Sequence, residues 1–257
     1  MTLEDDFSDV IAKAMTGLEI GIEELAQQAA LGTCEIESVL RGEMNEAVLR
    51  KISPLLNLGA DALIALPDYR PAPHGLAGIS RIKLPYRQWT VNAWIVQLND
   101  IRLLFDTGFG ANDVLGHTDA DRLNAVFLTH SHEDHVGGVG ALESAGARVI
   151  AEEEGLAEAS YRFGNLCLEV VDLSGHASPA VGFFITGLER QIFVTGDSVF
   201  AGSMGRCRSN SSYKTAFATL CEAIEHAESD CILLPGHGPA TTLTEEMTSN
   251  PFFACFH

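Results

Sequence analysis

The segment AVFLTHSHEDHVGG, residues 125–138, places four potential metal ligands directly after a run of apolar residues. The apolar run predicts a buried strand. In an extended chain, residues i and i+2 point to the same side, so His130 and His132 are expected to bind one ion together. As the chain turns into the following helix, Asp134 and His135 can reach a second ion. Their nitrogen and oxygen atoms suit Zn²⁺, and also Fe or Mn.

Three further potential ligands each follow a glycine at or just beyond the end of another predicted strand: His176, Asp197 and His237. Taken alone, each is as easily a polar loop residue as a ligand. The shared strand–glycine–ligand context favours a place in the first cluster, because one sheet edge can collect several strand ends. Two ions about 3.5–4 Å apart can then share a hydroxide and act on both sides of a carbonyl.

The chain divides into three parts by its sequence patterns. Residues 1–66 show the helical spacing of apolar residues throughout, with Pro54 expected to kink or split one helix. Residues 67–75 contain three prolines and predict a linker. Residues 76–257 mix strand and helix patterns, which is typical of an α/β or α+β domain with helices covering its sheets.

Strands in the third part are predicted from runs of β-branched and apolar residues. They cover residues 79–84, 91–98, 101–105, 125–129, 148–151, 166–171, 181–185, 191–195 and 231–234. Helices are predicted at about 136–145, 152–160 and 213–228.

Composition and charge exclude several classes of protein. The 257 residues carry a formal net charge of −19, which repels phosphate backbones and anionic membrane surfaces, so nucleic-acid and membrane partners are not expected. No run approaches the roughly 18 apolar residues of a membrane helix. The opening MTLEDDFSDV has no basic residue and does not resemble a secretory signal. Six scattered cysteines without a C-x-x-C pair predict reduced thiols in the cytoplasm.

THSHEDHVGG matches the T-H-x-H-x-D-H-x-G-G signature of the metallo-β-lactamase fold superfamily, which residues 76–257 resemble. The further motifs of the family are resembled, in the family's order, by LLFDTG (103–108), GHASP, TGDSVF and LLPGHGP. GSMGR (202–206) and the segment that follows LLPGHGP are most similar to glyoxalase II-type (hydroxyacylglutathione hydrolase-like) enzymes, especially the small bacterial members. The resemblance implies a four-layer αββα sandwich with the site at one edge of its two sheets.

The resemblance also implies a dinuclear zinc hydrolase that cleaves a thioester or related acyl bond by attack of a metal-bridging hydroxide. Asp134 would additionally orient that hydroxide. Asp106 would fix the loop that carries the ligands. The implied ligands are His130, His132 and His176 for the first zinc, Asp134, His135 and His237 for the second, and Asp197 as the bridge between both.

Two departures from the family pattern affect the expected substrate pocket. Ala180 stands where relatives often carry a second histidine, at a position that is not usually a ligand. Arg206, Arg208 and Lys214 are the nearest basic residues to the predicted mouth and can receive an anionic thiol carrier, or they are solvated surface charges. Two other functions stay open: a mononuclear iron persulfide dioxygenase-like enzyme and a ligand-sensing DNA-binding regulator.

Residues 19–58 resemble the helix-turn-helix domain of phage-repressor-like regulators, through GIEELAQQAALGTCEIESVLRGE. Their charge argues against DNA reading, since residues 1–66 contain 4 basic and 12 acidic residues. The expected recognition helix, residues 33–40, has two glutamates and no Arg, Asn or Gln to read bases. This part is therefore expected to contact protein, for example as the interface of a homodimer.

Overall fold

Eleven strands form two sheets in the computed structural model, which describes residues 2–73 and 75–256, the side chains of 254–256 excepted. The first sheet has the order β1-β2-β3-β4-β5 and consists of Ile79–Tyr86, Trp89–Leu98, Ile101–Phe105, Ala125–Phe127 and Val149–Ile150. The second has the order β11-β10-β9-β8-β7-β6. Its strands, from β6 to β11, are Ser160–Phe163, Leu166–Asp172, Val181–Thr186, Ile192–Gly196, Ile232–Pro235 and Thr241–Thr242.

In the described chain, five helices precede the sheets, four lie between strands and one follows the last strand. α1 to α5 are Phe7–Leu18, Ile22–Ala29, Thr33–Leu40, Glu46–Ile52 and Ala60–Ala65. α6 to α10 are Glu133–Val136, Val139–Ser144, Glu152–Glu158, Asn210–Glu225 and Leu243–Ser249. Short 3₁₀ helices cover Pro54–Leu56, Leu66–Asp68, Val114–Gly116, Ala120–Arg122 and Pro251–Phe256. None of the described helices is long and apolar enough to cross a membrane.

The predicted elements are present, with errors at weak edges, and the helix predicted at about 136–145 is instead two helices, α6 and α7, separated at Gly137 and Gly138. All nine predicted strands are confirmed, and Pro54 splits its helix as expected, since α4 ends at Ile52. The helix predicted over residues 152–160 ends at Glu158, because the chain there begins the edge strand β6. β6, β11 and α10 were not predicted. β11 has two residues, and β6 alternates between exposed and half-buried positions, so neither has a strong apolar pattern.

Aromatic side chains fill the space between the two sheets. Phe105 of β3, Phe127 of β4 and Phe183 of β8 have ring centres 5.2–5.4 Å apart and are almost fully buried. Such ring pairs add packing energy to a large buried area. On the outer face of the first sheet, Leu142 of α7 belongs to a separate buried cluster with Leu104. The predicted α/β sandwich with helices over its sheets is confirmed.

The N-terminal helices pack on the outer face of the second sheet. Val10 and Ile11 of α1 belong to the same buried cluster as Phe184 of β8 and Phe193 of β9. Because neighbouring strand residues face opposite sides, Phe183 faces the first sheet while Phe184 faces the helices. The first 66 residues therefore complete a core of the sandwich, while the predicted domain limits at residues 66 and 76 stay a prediction.

Residues 1, 74 and 257, which belong to the predicted helical part, linker and third part, lie outside the described residues. The five cysteines with described side chains are free thiols, and the side chain of Cys255 is not among them.

Candidate metal centre

The seven predicted ligands meet at one end of the sandwich. The cluster from His130 to His135 follows β4 of the first sheet, whereas His176, Asp197 and His237 follow strands of the second sheet. The expectation of a single sheet edge was therefore wrong. The site lies where the ends of both sheets come together, as the family resemblance implies.

Three imidazole nitrogens form the first half of the site. His132 Nδ1 lies 3.0 Å from His130 Nε2 and 3.0 Å from His176 Nε2. His130 is buried, and the other two side chains are partly exposed. Three nitrogen lone pairs at this distance repel each other unless a proton or a cation lies between them. The group has the donor type and number of a zinc site with one open position.

Backbone carbonyls fix which ring nitrogen of His176 and of His237 faces the site. His176 Nδ1 donates to the carbonyl of Arg206 at 2.9 Å, and His237 Nδ1 donates to that of Thr90 at 2.9 Å. Because a carbonyl oxygen only accepts hydrogen bonds, the Nδ1 atom of each of these two histidines carries a proton. Each Nε2 therefore faces the site, where it can present its lone pair to a metal ion once it carries no proton, and this is the usual way a metal-binding histidine is oriented.

Asp106 connects the two strand ends beside the site. Its Oδ1 accepts from the Thr129 amide at 2.8 Å, and its Oδ2 accepts from the Thr129 hydroxyl at 2.9 Å. The same Oδ2 lies 2.8 Å from His135 Nδ1. Asp106 has a φ of +59°, a left-handed conformation that Asp tolerates better than most residues. These contacts join the two strand ends, and the expected role of Asp106 in holding the ligand loop stays a prediction.

Asp197 lies between the two halves of the site. Its Oδ1 is 3.3 Å from His135 Nε2, and its Oδ2 is 3.4 Å from His176 Nε2 and 3.6 Å from His237 Nε2. His237 Nε2 is also 3.4 Å from Asp134 Oδ2. Asp134, His135 and His237 thus form a second buried group of potential ligands, whose ligand atoms all lie within 4.8 Å of one another.

The polar atoms at the centre of the site fit a cation. Among the described residues, His135 Nε2 and Asp197 Oδ1 are buried, and although the two atoms lie 3.3 Å apart, neither makes a hydrogen bond. A buried polar atom without a partner costs about 1–3 kcal/mol, and a metal ion would satisfy both atoms at once. The mixture of imidazole and carboxylate donors suits Zn, Fe or Mn.

Opposite charges outweigh burial at Asp197 and His237. Burial alone would raise the pKa of Asp197, but the imidazolium charges of His237 and His135 hold that pKa well below its usual range. Burial opposes the charge of His237, yet the carboxylates of Asp197, Asp134 and Glu4 together raise the pKa of His237 to about 9. Asp197 is thus ionised at neutral pH, the state in which a carboxylate binds a cation.

Comparison with known proteins identifies the fold to which this architecture is similar. The family model "Metallo-beta-lactamase superfamily" matches residues 86–168. Two solved structures, "BLEG-1 B3 metallo-beta-lactamase" and "TTHA1623 in a di-iron-bound form", superpose with TM-scores of 0.56 and 0.54 at 23% and 27% identity. They cover 68% and 67% of this chain, and the matches span 99% of each of those chains. The sandwich has the metallo-beta-lactamase superfamily fold.

Proteins similar to this chain in sequence are named for two different activities. "Hydroxyacylglutathione hydrolase GloC" of Haemophilus influenzae is 28% identical over 162 residues, which cover 51% of this chain and 76% of that protein. "Persulfide dioxygenase ETHE1, mitochondrial" of Homo sapiens is 30% identical over 145 residues, or 51% of this chain and 56% of that protein. The match therefore spans only about half of the dioxygenase.

A cavity of about 410 Å³ opens beside the predicted metal ligands. Arg206 and Arg208, two of the predicted substrate contacts, lie on its wall and are exposed. Lys214 is exposed on α9 and is not among the lining residues. The full lining consists of Tyr86, His132, Glu133, Asp134, His176, Asp197, Arg206 and Arg208.

Tyr86 and Glu133, which also line this cavity, were not identified from the sequence. Glu133 accepts a hydrogen bond from the Tyr86 hydroxyl at 3.2 Å and pairs with Arg87. This contact joins the β1–β2 hairpin to the start of α6. Glu133 occupies a variable position of the family signature. Its contact with the hairpin is therefore evident only from the structure. The carbonyl of Thr90, which orients His237, has no signal in the sequence at all.

Proposed function

We propose that this protein is a dinuclear zinc hydrolase that cleaves a thioester or a related acyl bond. The observation that carries the proposal is the meeting of seven potential ligands, two of which have a buried nitrogen or oxygen atom without a hydrogen bond. The relatives named hydroxyacylglutathione hydrolase, at 28–29% identity for the first ones, support the thioester class.

The proposal assigns each predicted ligand to one of two ions. When bound, such ions supply an activated water at neutral pH and polarise the acyl carbonyl. His130, His132 and His176 would hold the first ion, Asp134, His135 and His237 would hold the second, and Asp197 would be a ligand of both.

The chain's own residues contribute a base and a charged wall. Burial raises the pKa of Asp134, but the hydrogen bond from His237 and the charges of His135 and His237 together outweigh burial and lower that pKa. Asp134 also lines the cavity, so its ionised carboxylate can orient a water molecule toward the acyl group. Arg206 and Arg208 bind an anionic thiol carrier by charge. Because a thiolate leaves readily, no general acid is needed.

Metal analysis together with a thioester panel tests the proposal. We expect about two zinc ions per chain and thiol release from S-lactoylglutathione or another acyl thioester. Asp197→Ala should lose most of the metal and nearly all activity. Asp230→Ala, at an exposed aspartate that pairs with Arg190, is the matched control and should keep both. A protein with two zinc ions and no thioester turnover, or an Asp197→Ala variant with normal metal content, would contradict the proposal.

A persulfide dioxygenase-like activity is the second candidate. The match to the human persulfide dioxygenase at 30% identity favours it. It requires one iron per chain and oxygen uptake with glutathione persulfide as the substrate. The same metal analysis separates the two candidates, since the hydrolase requires two zinc ions and no oxygen.

The DNA-binding regulator and the homodimer stay predictions about the N-terminal helices. The apolar face of α1 packs on the sandwich, so the full-length chain is the proper sample for both tests. Salt-dependent binding of duplex DNA would support a regulator, and its absence at low salt would end that hypothesis. Light scattering of the purified protein gives the oligomeric state.

A further inference from the structure

Lys13 of α1 is a buried lysine that reaches from the N-terminal helices to a loop beside the metal centre. The residue is 7% exposed. Its Nζ donates to the carbonyl of Met204 at 2.8 Å, pairs with Asp5, and lies 5.0 Å from the centre of the Phe200 ring. Burying an ammonium group is costly unless it is well partnered. Two of its three partners belong to the loop over residues 200–206, here called the support loop.

The support loop contacts the proposed ligands at both of its ends. At one end, the Phe200 ring lies 5.5 Å from the His237 ring, centre to centre. At the other end, the Arg206 carbonyl accepts the hydrogen bond from His176 Nδ1. Between them, Gly205 passes so close that a Cβ on it would lie 2.8 Å from the His176 ring. A shift of this loop would therefore move His176.

The two halves of the support loop are held by different parts of the chain. Asn250 Nδ2 donates to the carbonyl of Ser203 at 2.9 Å, and Glu246 accepts from the Gly202 amide at 2.9 Å, so the first half is tied to α10 and the residue after it. The second half begins at Met204, whose carbonyl accepts a hydrogen bond from the Lys13 ammonium. Lys13 thus holds the half that orients His176.

We propose that Lys13 is a positioning residue for the metal centre, which it reaches through the support loop. The inference rests on the proposed metal site. It gives the N-terminal helices a role in the site that is separate from DNA binding or dimerisation. Removing an outer hydrogen-bond partner of a ligand typically costs 10–100-fold in metal affinity. Lys13 acts one step further away, so we expect a loss of roughly tenfold.

Lys13→Met tests the proposal, because it keeps most of the stem and removes the charge and the donors. Zinc affinity is measured by chelator competition, and the absorption spectrum of the Co²⁺-loaded protein reports ligand geometry. We expect roughly tenfold weaker zinc binding and an altered Co²⁺ spectrum, with Lys13→Arg recovering part of both. The matched control is Arg50→Met, whose ion pairs with Glu46 and Asp61 lie within the helices. It should change zinc affinity less than twofold.

Each outcome bears on one proposal. A wild-type protein that binds neither zinc nor Co²⁺ would refute the proposed metal site itself. A wild-type protein that binds zinc, with a Lys13→Met variant of equal affinity and spectrum, would refute the role of Lys13. An equal loss in Arg50→Met would also refute it, since general destabilisation would then explain the effect. If Lys13→Met does not fold, Asp5→Asn weakens the same ion pair, and unchanged zinc affinity in that variant refutes the role.

Discussion

The contact between α1 and α9 makes Gly17→Ala a direct test of how the N-terminal helices attach to the sandwich. A Cβ placed on Gly17 would lie 2.3 Å from Cδ2 and 2.5 Å from Cγ of the Tyr213 ring. Carbon atoms in good contact are about 3.5–4.0 Å apart. The Tyr213 ring is 4% exposed and packs against Phe217, so it has little room to move.

Two effects of opposite sign determine how much Gly17→Ala changes the free energy of unfolding. Overpacking a well-packed core typically costs about 1–3 kcal/mol. Replacing a helical glycine by alanine returns roughly 0.5–1 kcal/mol through helix propensity. The expected result for Gly17→Ala is a net destabilisation of about 1 kcal/mol, which corresponds to a fall in Tm of roughly 2–4 °C in a protein of this size.

Urea unfolding and thermal melting of both glycine variants measure the difference. Gly140→Ala is the matched control, since Gly140 lies within α7 and a Cβ there would meet nothing within 4 Å. That variant should gain the propensity term and become more stable by roughly 0.5–1 kcal/mol. If Gly17→Ala were stabilised like Gly140→Ala, α1 would not pack on α9 in solution, and the shared core would be refuted.

Three further predictions concern the site and its surroundings. Asp106→Asn should lower zinc affinity by roughly 10–100-fold in a chelator competition, because His135 and the Thr129 hydroxyl lose a charged acceptor. Arg206→Ala should raise KM for anionic thioesters and leave KM for neutral ones unchanged. Burial raises the pKa of Glu246 to about 7. The unfolded chain therefore loses this proton first, and the group lowers stability as pH rises from about 4.5 to about 7, by up to about 3 kcal/mol. Urea unfolding at pH 5 and pH 7.5 should show a smaller loss for Glu246→Gln than for wild type.

The candidate site could be predicted because its signals are local. His130 and His132 are two residues apart in an extended segment, and their spacing alone places both on one side. The limits of β3, Ile101–Phe105, were also predicted to the residue, because Asn99-Asp100 is a strong turn signal before it. The assignment of the seven residues to two ions stays a prediction until metal is measured.

The partners of the N-terminal helices could not be predicted from the sequence. The apolar stripe of α1, including Val10 and Ile11, was evident from its spacing, but a stripe does not identify the surface that it covers. That surface is formed by Phe184, Phe193 and α9, more than 160 residues later in the chain. The contact of Lys13 with Met204 is equally remote, and a single lysine in a helix carries no pattern that predicts burial.

The shared core also determines when this protein can finish folding during its synthesis. α1–α5 leave the ribosome long before residues 173–253, which supply the other side of their core. Until then, the apolar faces of the nascent helices stay in water, where they are prone to aggregate or to bind chaperones. Slowing translation before residue 173 should therefore prolong the vulnerable stage and lower the yield of folded protein.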